Sequence, residues 1–345
     1  MSLDIKSLLR ENIRNLKPYS SARDEFSGDA AVFLDANENP FNSPWNRYPD
    51  PRQLKLKARI GAIKNIGVPN IFLGNGSDEP IDLLIRAFCE PGKDNIVSIN
   101  PTYGMYRVAA DTNNVTVKLV PLNDDFELDA NAVLNAVTAH TKIIFLCSPN
   151  NPTGNALDPK GIVHIIENFS GIVVLDEAYI DFCPDKSLLP DLIQYPNLVI
   201  LQTFSKAWGM AGLRLGMAFA EEQIIEVLSR IKYPYNLNIL TQEKGIELLS
   251  SEEQKSEWVR IILEERKKLI ENLKKYPFTL KVYPTDANFV LVKTHDPKGI
   301  YHYLVDERII VRDRSSISLC EGCLRISVGS AEENALLIEA MDNLI

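Results

Sequence analysis

One lysine-containing segment, residues 203–216, constrains more than any other what this chain can fold into. Its sequence is Thr-Phe-Ser-Lys-Ala-Trp-Gly-Met-Ala-Gly-Leu-Arg-Leu-Gly. The apolar run Leu198–Thr203 is typical of a buried strand, so Lys206 is predicted just beyond the carboxyl end of that strand. A lysine held there as the free amine forms an imine with an aldehyde, and Ser205 and Arg214 offer donors to a phosphate. On this segment alone, a surface lysine beside a glycine-rich turn is the alternative.

Two apolar segments upstream also end in polar side chains. Gly171–Leu175 precedes Asp176, with Tyr179 three residues beyond, and Lys142–Cys147 leads into a loop that contains Asn151. Both runs have the length of buried strands, and the second is followed by turn-forming residues. Because ligands bind at the carboxyl edge of an open α/β sheet, we expect an amide, a carboxylate and a lysine to meet there.

Further motifs follow one another along the chain. In order they are Leu34-Asp35-Ala36-Asn37-Glu38-Asn39-Pro40-Phe41, Arg47-Tyr48-Pro49-Asp50, Gly74-Asn75-Gly76-Ser77-Asp78-Glu79, Asn100-Pro101-Thr102-Tyr103-Gly104-Met105-Tyr106 and Cys323-Leu324-Arg325-Ile326-Ser327-Val328-Gly329. Together with the three segments above, they resemble the fold-type I enzymes that use pyridoxal 5'-phosphate, and among these the histidinol-phosphate aminotransferases of the class II aminotransferase group. The resemblance covers nearly the whole chain, and the order and spacing of the motifs make it specific.

The expected fold is α/β, a fold-type I pyridoxal-phosphate-dependent transferase with a mostly parallel seven-stranded sheet in a large domain plus a small α+β domain. We predict an N-terminal helix and arm over residues 1–45, the large cofactor-binding domain over 46–250 and the small C-terminal domain over 251–345. Strands alternate with helices in the second range, and one long amphipathic helix opens the third. The arm lacks a core of its own, so it is expected to pack on the body or on a second subunit.

Composition excludes several classes of function. The chain has 345 residues, of which 45% are hydrophobic and 24% charged, as in soluble globular proteins. Its net charge of −9 argues against nucleic acid or an anionic membrane as a partner, because both call for a basic face. No apolar run has the length of a membrane span, and the charged N-terminal residues do not resemble a signal peptide, so we expect a cytoplasmic location.

The cysteines do not predict a metal site. Their number, five, is odd, and Cys89 and Cys147 lie in apolar segments, as reduced core thiols do. Cys320 and Cys323 form one C-x-x-C, but there is no second such pair and no histidine nearby, so no metal is expected.

Asp176 is the candidate partner of the cofactor's pyridine nitrogen, where a carboxylate keeps the ring protonated and electron-accepting. From the residues alone, an aspartate that caps a helix after a strand is an equal alternative. The resemblance favours the functional role. It also implies that Asn151 and Tyr179 hydrogen-bond the phenolic oxygen of the ring, and that Tyr103 stacks on its face.

The cofactor's phosphate is expected at the start of a helix that follows Gly76 and Ser77, because N–H groups at a helix start bind anions. Asp78 and its neighbour Glu79 would repel a phosphate unless their side chains point away. Ser205 and Arg214 counter this repulsion, and the resemblance assigns all these segments to one phosphate. It further implies that Tyr48 of one subunit reaches the phosphate of the other in a homodimer with shared active sites.

Substrate recognition centres on Arg325, a charged residue in an apolar strand that needs a partner. Its counterpart in related aminotransferases binds the acidic group of the substrate. Arg312 or Arg314 is predicted to add a second clamp; the alternative for these two is a surface ion pair with Asp313 or Glu307. Two more residues, Tyr19 and Asn37, match family positions near the substrate.

The resemblance implies an aminotransferase of histidine biosynthesis that moves the amino group of L-histidinol phosphate to 2-oxoglutarate and so forms glutamate. An aromatic amino acid aminotransferase or an amino-acid-phosphate decarboxylase of the same fold is the alternative within the enzymes, because the cofactor residues would be identical. A catalytically inactive regulator of this fold is the alternative from another class. Such a regulator would need an attached helix-turn-helix domain or the loss of the lysine, and the sequence has neither.

Overall fold

Two β-sheets form the framework of the described residues, which are 4–17 and 32–344 of this computed structural model. The first sheet has seven strands in the order β1-β7-β6-β5-β4-β2-β3. Their bounds are Ile71–Asn75 (β1), Asn95–Asn100 (β2), Thr116–Pro121 (β3), Thr141–Cys147 (β4), Ile172–Asp176 (β5), Leu198–Thr203 (β6) and Leu215–Ala220 (β7). All neighbours are parallel except β7, which runs antiparallel to both β1 and β6.

Both faces of this sheet are covered, which explains why its central strands are continuous apolar runs. Successive side chains of a strand point to opposite faces. In β5, Val173 and Leu175 join one buried cluster, whereas Ile172 and Val174 join another on the opposite face. The alternation in the other central strands is the same, so the sheet lies between two separate apolar cores.

Helices cover the two faces of the first sheet and one face of the second. Their bounds are Ile5–Leu8, Glu11–Arg14, Leu54–Lys64, Asp78–Phe88, Met105–Thr112, Ala130–Asn135, Pro159–Asn168, Glu222–Ile231, Ile239–Leu248, Glu252–Leu273, Pro297–Asp306 and Ala331–Asp342. Short 3-10 turns lie at Val68–Asn70, Ile180–Phe182, Pro184–Lys186, Leu189–Gln194 and Ala211–Leu213. Among the helices of the described ranges, none is both long and apolar enough to cross a membrane.

The second sheet is antiparallel, with four strands in the order β10-β11-β9-β8. Its strands are Thr279–Val282 (β8), Phe289–Thr294 (β9), Arg312–Asp313 (β10) and Cys323–Ser327 (β11). Apolar side chains of β9 and β11 pack with the last helix and with the C-terminal half of the long helix Glu252–Leu273 in a core of their own. The second sheet therefore carries β10 and β11, which bear the predicted substrate arginines.

The α/β fold with a mostly parallel seven-stranded sheet, predicted from the sequence, is confirmed. The single N-terminal helix is wrong, because the chain leaves helical geometry at Leu9 and Arg10. At this break the N–H of Arg10 donates to the carbonyl of Ala87, and its guanidinium bonds the carbonyl of Arg86. Leu9 is buried against the body. These tertiary contacts replace the hydrogen bonds of a continuous helix.

Adjacent leucines on the last helix allow a matched test of the second core. Leu337 is 4% exposed within that core, whereas Leu336 is 59% exposed. Leu337→Ala is expected to lower the free energy of unfolding by about 2–5 kcal/mol, because it removes buried methyl groups and leaves a cavity. Leu336→Ala should change it by about 0.5 kcal/mol or less. Urea unfolding measures both values, and equal effects would contradict this packing.

Candidate active site

A cavity of about 620 Å³ lies at the carboxyl edge of the parallel strands, facing β10 and β11. Cys147 and Asp176 end β4 and β5, and both line it. Because β7 is antiparallel, the residue before it, Arg214, returns to this same edge. The sequence-predicted residues that line the cavity are Gly76, Ser77, Asp78, Tyr103, Asn151, Asp176, Tyr179, Ser205, Lys206, Arg214, Arg312 and Arg325.

Asp176 is a buried carboxylate at the floor of the cavity, with 2% of its surface exposed. One oxygen accepts a hydrogen bond from the N–H of Ala178 at 3.0 Å, and the other accepts one from the hydroxyl of Tyr106 at 2.7 Å. Burial nevertheless raises the pKa of Asp176 to about 6, against the opposing influence of these two bonds. The carboxylate therefore still favours a further, cationic partner.

Lys206 lies in a loop that buried aromatic side chains hold in place. Phe204 and Trp208 flank it in the sequence. Their buried rings pack edge to face against each other, with centroids 5.4 Å apart. The N–H of Gly209 donates to the carbonyl of Lys206 at 3.0 Å, and Gly209 has a φ of +65°, which favours glycine. Burial, and secondly the charge of Arg325, lowers the pKa of Lys206. The amine is thus poised to lose its proton more readily than a surface lysine.

A hydrogen-bonded chain faces Lys206 across the cavity. The side-chain amide of Asn151 donates to the hydroxyl of Tyr179 at 3.2 Å, and its carbonyl oxygen accepts a short bond from the guanidinium of Arg325. The ring of Tyr179 lies 5.5 Å from the Lys206 amine. Burial raises the pKa of Tyr179, so that its hydroxyl stays protonated and able to donate.

An anion cradle forms where β1 meets the helix Asp78–Phe88. Gly76 has a φ of +69°, and a Cβ there would lie 2.7 Å from the guanidinium of Arg214. A Cβ on Gly216 would collide with the backbone of Gly76 and Ser77. Both glycines are therefore needed for this close approach, which places a guanidinium beside the first-turn N–H groups of a helix.

The acidic side chains next to this cradle are both engaged. The carboxylate of Glu79 turns away and accepts bonds from the N–H of Asn75 at 2.6 Å and from the amide of Asn236 at 3.0 Å. Asp78 accepts a bond from the hydroxyl of Tyr103 at 3.0 Å and lies 3.4 Å from the guanidinium of Arg214. The two carboxylates therefore repel a phosphate in the cradle less than their positions in the sequence suggested.

Three arginines converge at the other end of the cavity. Arg312 and Arg325 are directly opposite each other in the β10–β11 pair, an arrangement in which like charges destabilise a sheet. Arg314 directly follows β10 and also lines the cavity. Burial and the other two guanidiniums lower the pKa of Arg314 to about 10. Such a cluster is favourable only when an anion lies between its members.

The alternative ion pairs for these arginines do not form in residues 4–17 and 32–344. The carboxylate of Asp313 accepts from the N–H of Ser315 at 2.8 Å, and no ion pair joins Arg312 or Arg314 to Asp313 or Glu307. Within the same residues, the Nε atom of Arg314 is buried and has no hydrogen-bond partner. The interpretation of these side chains as surface ion pairs was wrong, because the strand directs Asp313 to the opposite face.

Two predicted residues, Tyr48 and Asn37, do not line the cavity among the described residues of one chain. Tyr48 is 50% exposed and stacks on Tyr235, with ring centroids 4.4 Å apart. Asn37 is exposed and is not among the residues of the cavity wall. Tyr19 lies outside the described residues.

Sequence reasoning missed one polar residue under the floor of the cavity. Tyr106 is the last residue of the Asn100–Tyr106 motif, and the sequence predicted no function for it. In the structure its hydroxyl donates a hydrogen bond to Asp176. No signal in the local sequence could have found it, because the partner of its hydroxyl lies 70 residues further along the chain.

The chain is similar to known aminotransferases over nearly its whole length. The family described as aminotransferase class I and II matches residues 29–341. Histidinol-phosphate aminotransferases of Parabacteroides distasonis and Cytophaga hutchinsonii are 58% identical over 341 residues and 56% identical over 345 residues, each covering 99% of both chains. The solved structure of histidinol-phosphate aminotransferase from Sinorhizobium meliloti in complex with pyridoxal-5'-phosphate has a TM-score of 0.78 and 24% identity. The matched region covers 87% of this chain and 84% of the chain of that structure.

Asp176→Asn is expected to flatten the pH dependence of stability of the ligand-free protein. The folded pKa of about 6 lies above the roughly 3.9 of an unfolded chain. The protonated carboxyl therefore stabilises the fold fully below about pH 4, and this contribution is lost as the pH rises through about 6. The variant should avoid a loss on the order of 2 kcal/mol, measured by urea unfolding across that range.

Glu177→Gln is the matched control. This neighbour is also fully buried, with its pKa raised to about 7 mainly by burial, but it does not line the cavity. The stabilising contribution of the protonated Glu177 carboxyl is lost as the pH rises through about 7. Glu177→Gln should therefore flatten the plot of stability against pH over a wider pH range than Asp176→Asn does. If Asp176→Asn retains the whole wild-type loss between about pH 4 and 6, the burial cost assigned to Asp176 is wrong.

Proposed function

We propose that this chain, which belongs to the aminotransferase class I and II family, transfers the amino group of L-histidinol phosphate to 2-oxoglutarate. The products are imidazole acetol phosphate and glutamate. The observation that carries this function is a cluster of three arginines without carboxylate partners in the described residues, facing a lysine of lowered pKa across one cavity. Relatives that match almost the whole chain are histidinol-phosphate aminotransferases.

The cofactor is pyridoxal 5'-phosphate, and the cavity fits each of its three polar parts. The amine of Lys206, with its lowered pKa, suits the aldehyde; the incompletely satisfied carboxylate of Asp176 suits the ring nitrogen; and the glycine-lined cradle beside Arg214 suits the phosphate. When bound, the cofactor withdraws electrons from the α-carbon of the substrate, so that its proton becomes acidic.

Asp176 then holds the ring nitrogen protonated through its negative charge. Asn151 and Tyr179, already bonded to each other, present donors to the phenolic oxygen of the ring. Tyr103 covers one ring face, tethered through its hydroxyl to Asp78. These contacts fix the plane of the ring before substrate arrives, and such preorganisation avoids a reorganisation cost during the reaction.

Gly76, Ser77 and the first turn of the helix Asp78–Phe88 would hold the phosphate of the cofactor. Arg214 and Ser205 bind it from the other side, and Thr203 orients Ser205 through a hydrogen bond between their hydroxyls at 3.0 Å. Arg214 would then share its guanidinium between that phosphate and Asp78, which lies 3.4 Å away. The remaining negative charge of Asp78 is met by the hydroxyl of Tyr103.

Lys206 acts as the base that removes the α-proton of the substrate and returns a proton to the cofactor carbon. Its lowered pKa raises the fraction of free amine near neutral pH, the form that accepts a proton. Arg325 and Arg214 act in the same direction as burial, whereas Asp176 opposes them.

Arg325 binds the phosphate of histidinol phosphate in one half-reaction and a carboxylate in the other, since a guanidinium fork pairs with either. Arg312 adds a second fork from the opposite strand, and Tyr19 and Asn37 complete the substrate site in our proposal. Arg314, which also lines the cavity, contributes further positive charge.

The active unit is proposed to be a homodimer, with a second copy covering the segment 32–48. Five apolar side chains there are between 50% and 91% exposed, namely Val32, Leu34, Phe41, Trp45 and Tyr48. So much apolar surface in one segment is typical of an interface. A cytoplasmic location is also part of the proposal, supported by five buried free thiols, as found in reducing compartments.

Substrate preference tests the function. The kcat/KM for histidinol phosphate should exceed that for histidinol by on the order of a thousandfold, because histidinol carries no anion to neutralise the partly desolvated charges of Arg314 and Arg325. Arg325→Gln should remove most of this preference, whereas Arg260→Gln, at an exposed ion pair on the long helix, should retain it. Higher efficiency on phenylalanine, or release of carbon dioxide from threonine phosphate, would instead indicate one of the alternative activities.

Mixed dimers test the shared site. Lys206→Ala should be inactive, and Tyr48→Phe should lose only a hydroxyl while retaining its stacking on Tyr235. A heterodimer of the two contains one site with both wild-type residues if Tyr48 serves its partner. Activity per intact Lys206 should therefore return to the wild-type value when Lys206→Ala is added in excess. The same addition to wild-type enzyme is the control; no recovery after verified subunit exchange contradicts the shared site.

A further inference from the structure

Tyr106 lies beneath the cavity floor and, with 1% of its surface exposed, does not touch the space where ligands bind. Its hydroxyl donates to Asp176 at 2.7 Å. We propose that Tyr106 is a positioning residue that orients the Asp176 carboxylate toward the ring nitrogen of the cofactor and supports its negative charge. This inference rests on the proposed use of pyridoxal 5'-phosphate by this chain.

Neighbouring aromatic rings fix the direction of this hydrogen bond. The ring of Tyr106 stacks on Phe145 of β4, with centroids 4.8 Å apart and planes 18° apart. Tyr103 meets its edge at 5.6 Å and 85°. A ring held on two sides cannot rotate away, so the hydroxyl stays directed at Asp176.

The two protein donors use one lone pair on each oxygen of Asp176. The N–H of Ala178 occupies Oδ1 and Tyr106 occupies Oδ2, which leaves the remaining lone pairs for the cavity that Asp176 lines. Without the tyrosine hydroxyl, the carboxylate would be held by a single backbone bond and free to rotate about it. The orientation that presents an oxygen to the ring nitrogen would then no longer be fixed.

Charge also favours this role. Burial is the main influence that raises the pKa of Asp176, and the bond from Tyr106 is the strongest influence against it. Asp78 from its helix and Lys206 from its loop act on Asp176 with opposite signs. The other titratable groups that face it are Cys147, Tyr103 and Tyr179, whose pKa values burial raises, so all three stay neutral near pH 7.

Tyr106 itself remains a donor throughout the working range. Burial raises its pKa well above the usual value for tyrosine, so the hydroxyl keeps its proton whenever Asp176 is ionised. The bond is therefore charge-assisted, the type of hydrogen bond that stabilises most. Phenylalanine would preserve every ring contact and remove only this bond.

Tyr106→Phe is the test. The dissociation constant of pyridoxal 5'-phosphate, measured by fluorescence at about pH 8, should rise about tenfold, equivalent to about 1.4 kcal/mol. The kcat of the loaded enzyme should fall as well, with the acid limb of its pH profile moved to higher pH. In the cofactor-free protein, the stability difference from wild type should be greater at about pH 8 than at about pH 5, because a still higher folded pKa destabilises only the ionised form.

Tyr276→Phe is the matched control. Its hydroxyl donates to the carboxylate of Asp342 at 2.8 Å, far from the cavity on the second sheet's side of the chain. This variant should leave cofactor affinity and the acid limb unchanged. If Tyr106→Phe binds the cofactor as tightly as wild type and loses equal stability at both pH values, Tyr106 only packs and the inference is wrong.

The test of Tyr106 and the test of the proposed function can fail independently of each other. A wild-type protein that binds pyridoxal 5'-phosphate but does not use histidinol phosphate overturns the substrate assignment alone. Cofactor affinity and the pH dependence of unfolding still decide the role of Tyr106 in that case, because neither measurement involves a substrate.

Discussion

The reversal of β7 within an otherwise parallel sheet is the constraint on which the whole site depends. Parallel strands deliver only the residues that follow them to the ligand edge. An antiparallel strand delivers the residue that precedes it, and Arg214 reaches the anion cradle in this way. The connection from β6 to β7 must then be short and turn back at once, which fixes Lys206 within it. Gly216 permits the arrangement, because any side chain there would collide with the loop after β1.

The charges around the cavity are not balanced without a ligand. Burial leaves Asp176 with a raised pKa and Lys206 with a lowered one, and Arg312 and Arg325 are directly opposite each other. Each of these arrangements lowers the stability of the ligand-free chain, and each is relieved by a group that pyridoxal phosphate or a phosphate-bearing substrate provides. Such local cost at a functional site is commonly offset by the rest of the fold, here by two apolar cores on either side of one sheet.

The central strands could be predicted from the sequence because both faces of the sheet are buried, and β4, β5 and β6 were located to within about a residue. The wall of the cavity was predictable because its residues follow those strands. Tyr106 was not, since nothing in its sequence context reveals that its hydroxyl meets a carboxylate 70 residues away. The break at Leu9 was missed for a similar reason, because contacts with Ala87 and Arg86 outweigh the helical pattern. In each case a tertiary partner decided the outcome, and local sequence carries no signal of it.

The arginine cluster also suggests how one site distinguishes its two substrates. A phosphate monoester carries about −1.5 to −2 charges near pH 7, whereas a side-chain carboxylate carries one. Three guanidiniums are better neutralised by the phosphate, and a carboxylate leaves excess positive charge on a cluster in which Arg314 and Arg325 are partly buried. Arg314 would retain that excess, because its Nε atom is buried and has no partner in the described residues. In the proposed function, the cluster would therefore bind the phosphate more strongly and still accept the carboxylate, as alternating half-reactions with histidinol phosphate and 2-oxoglutarate require.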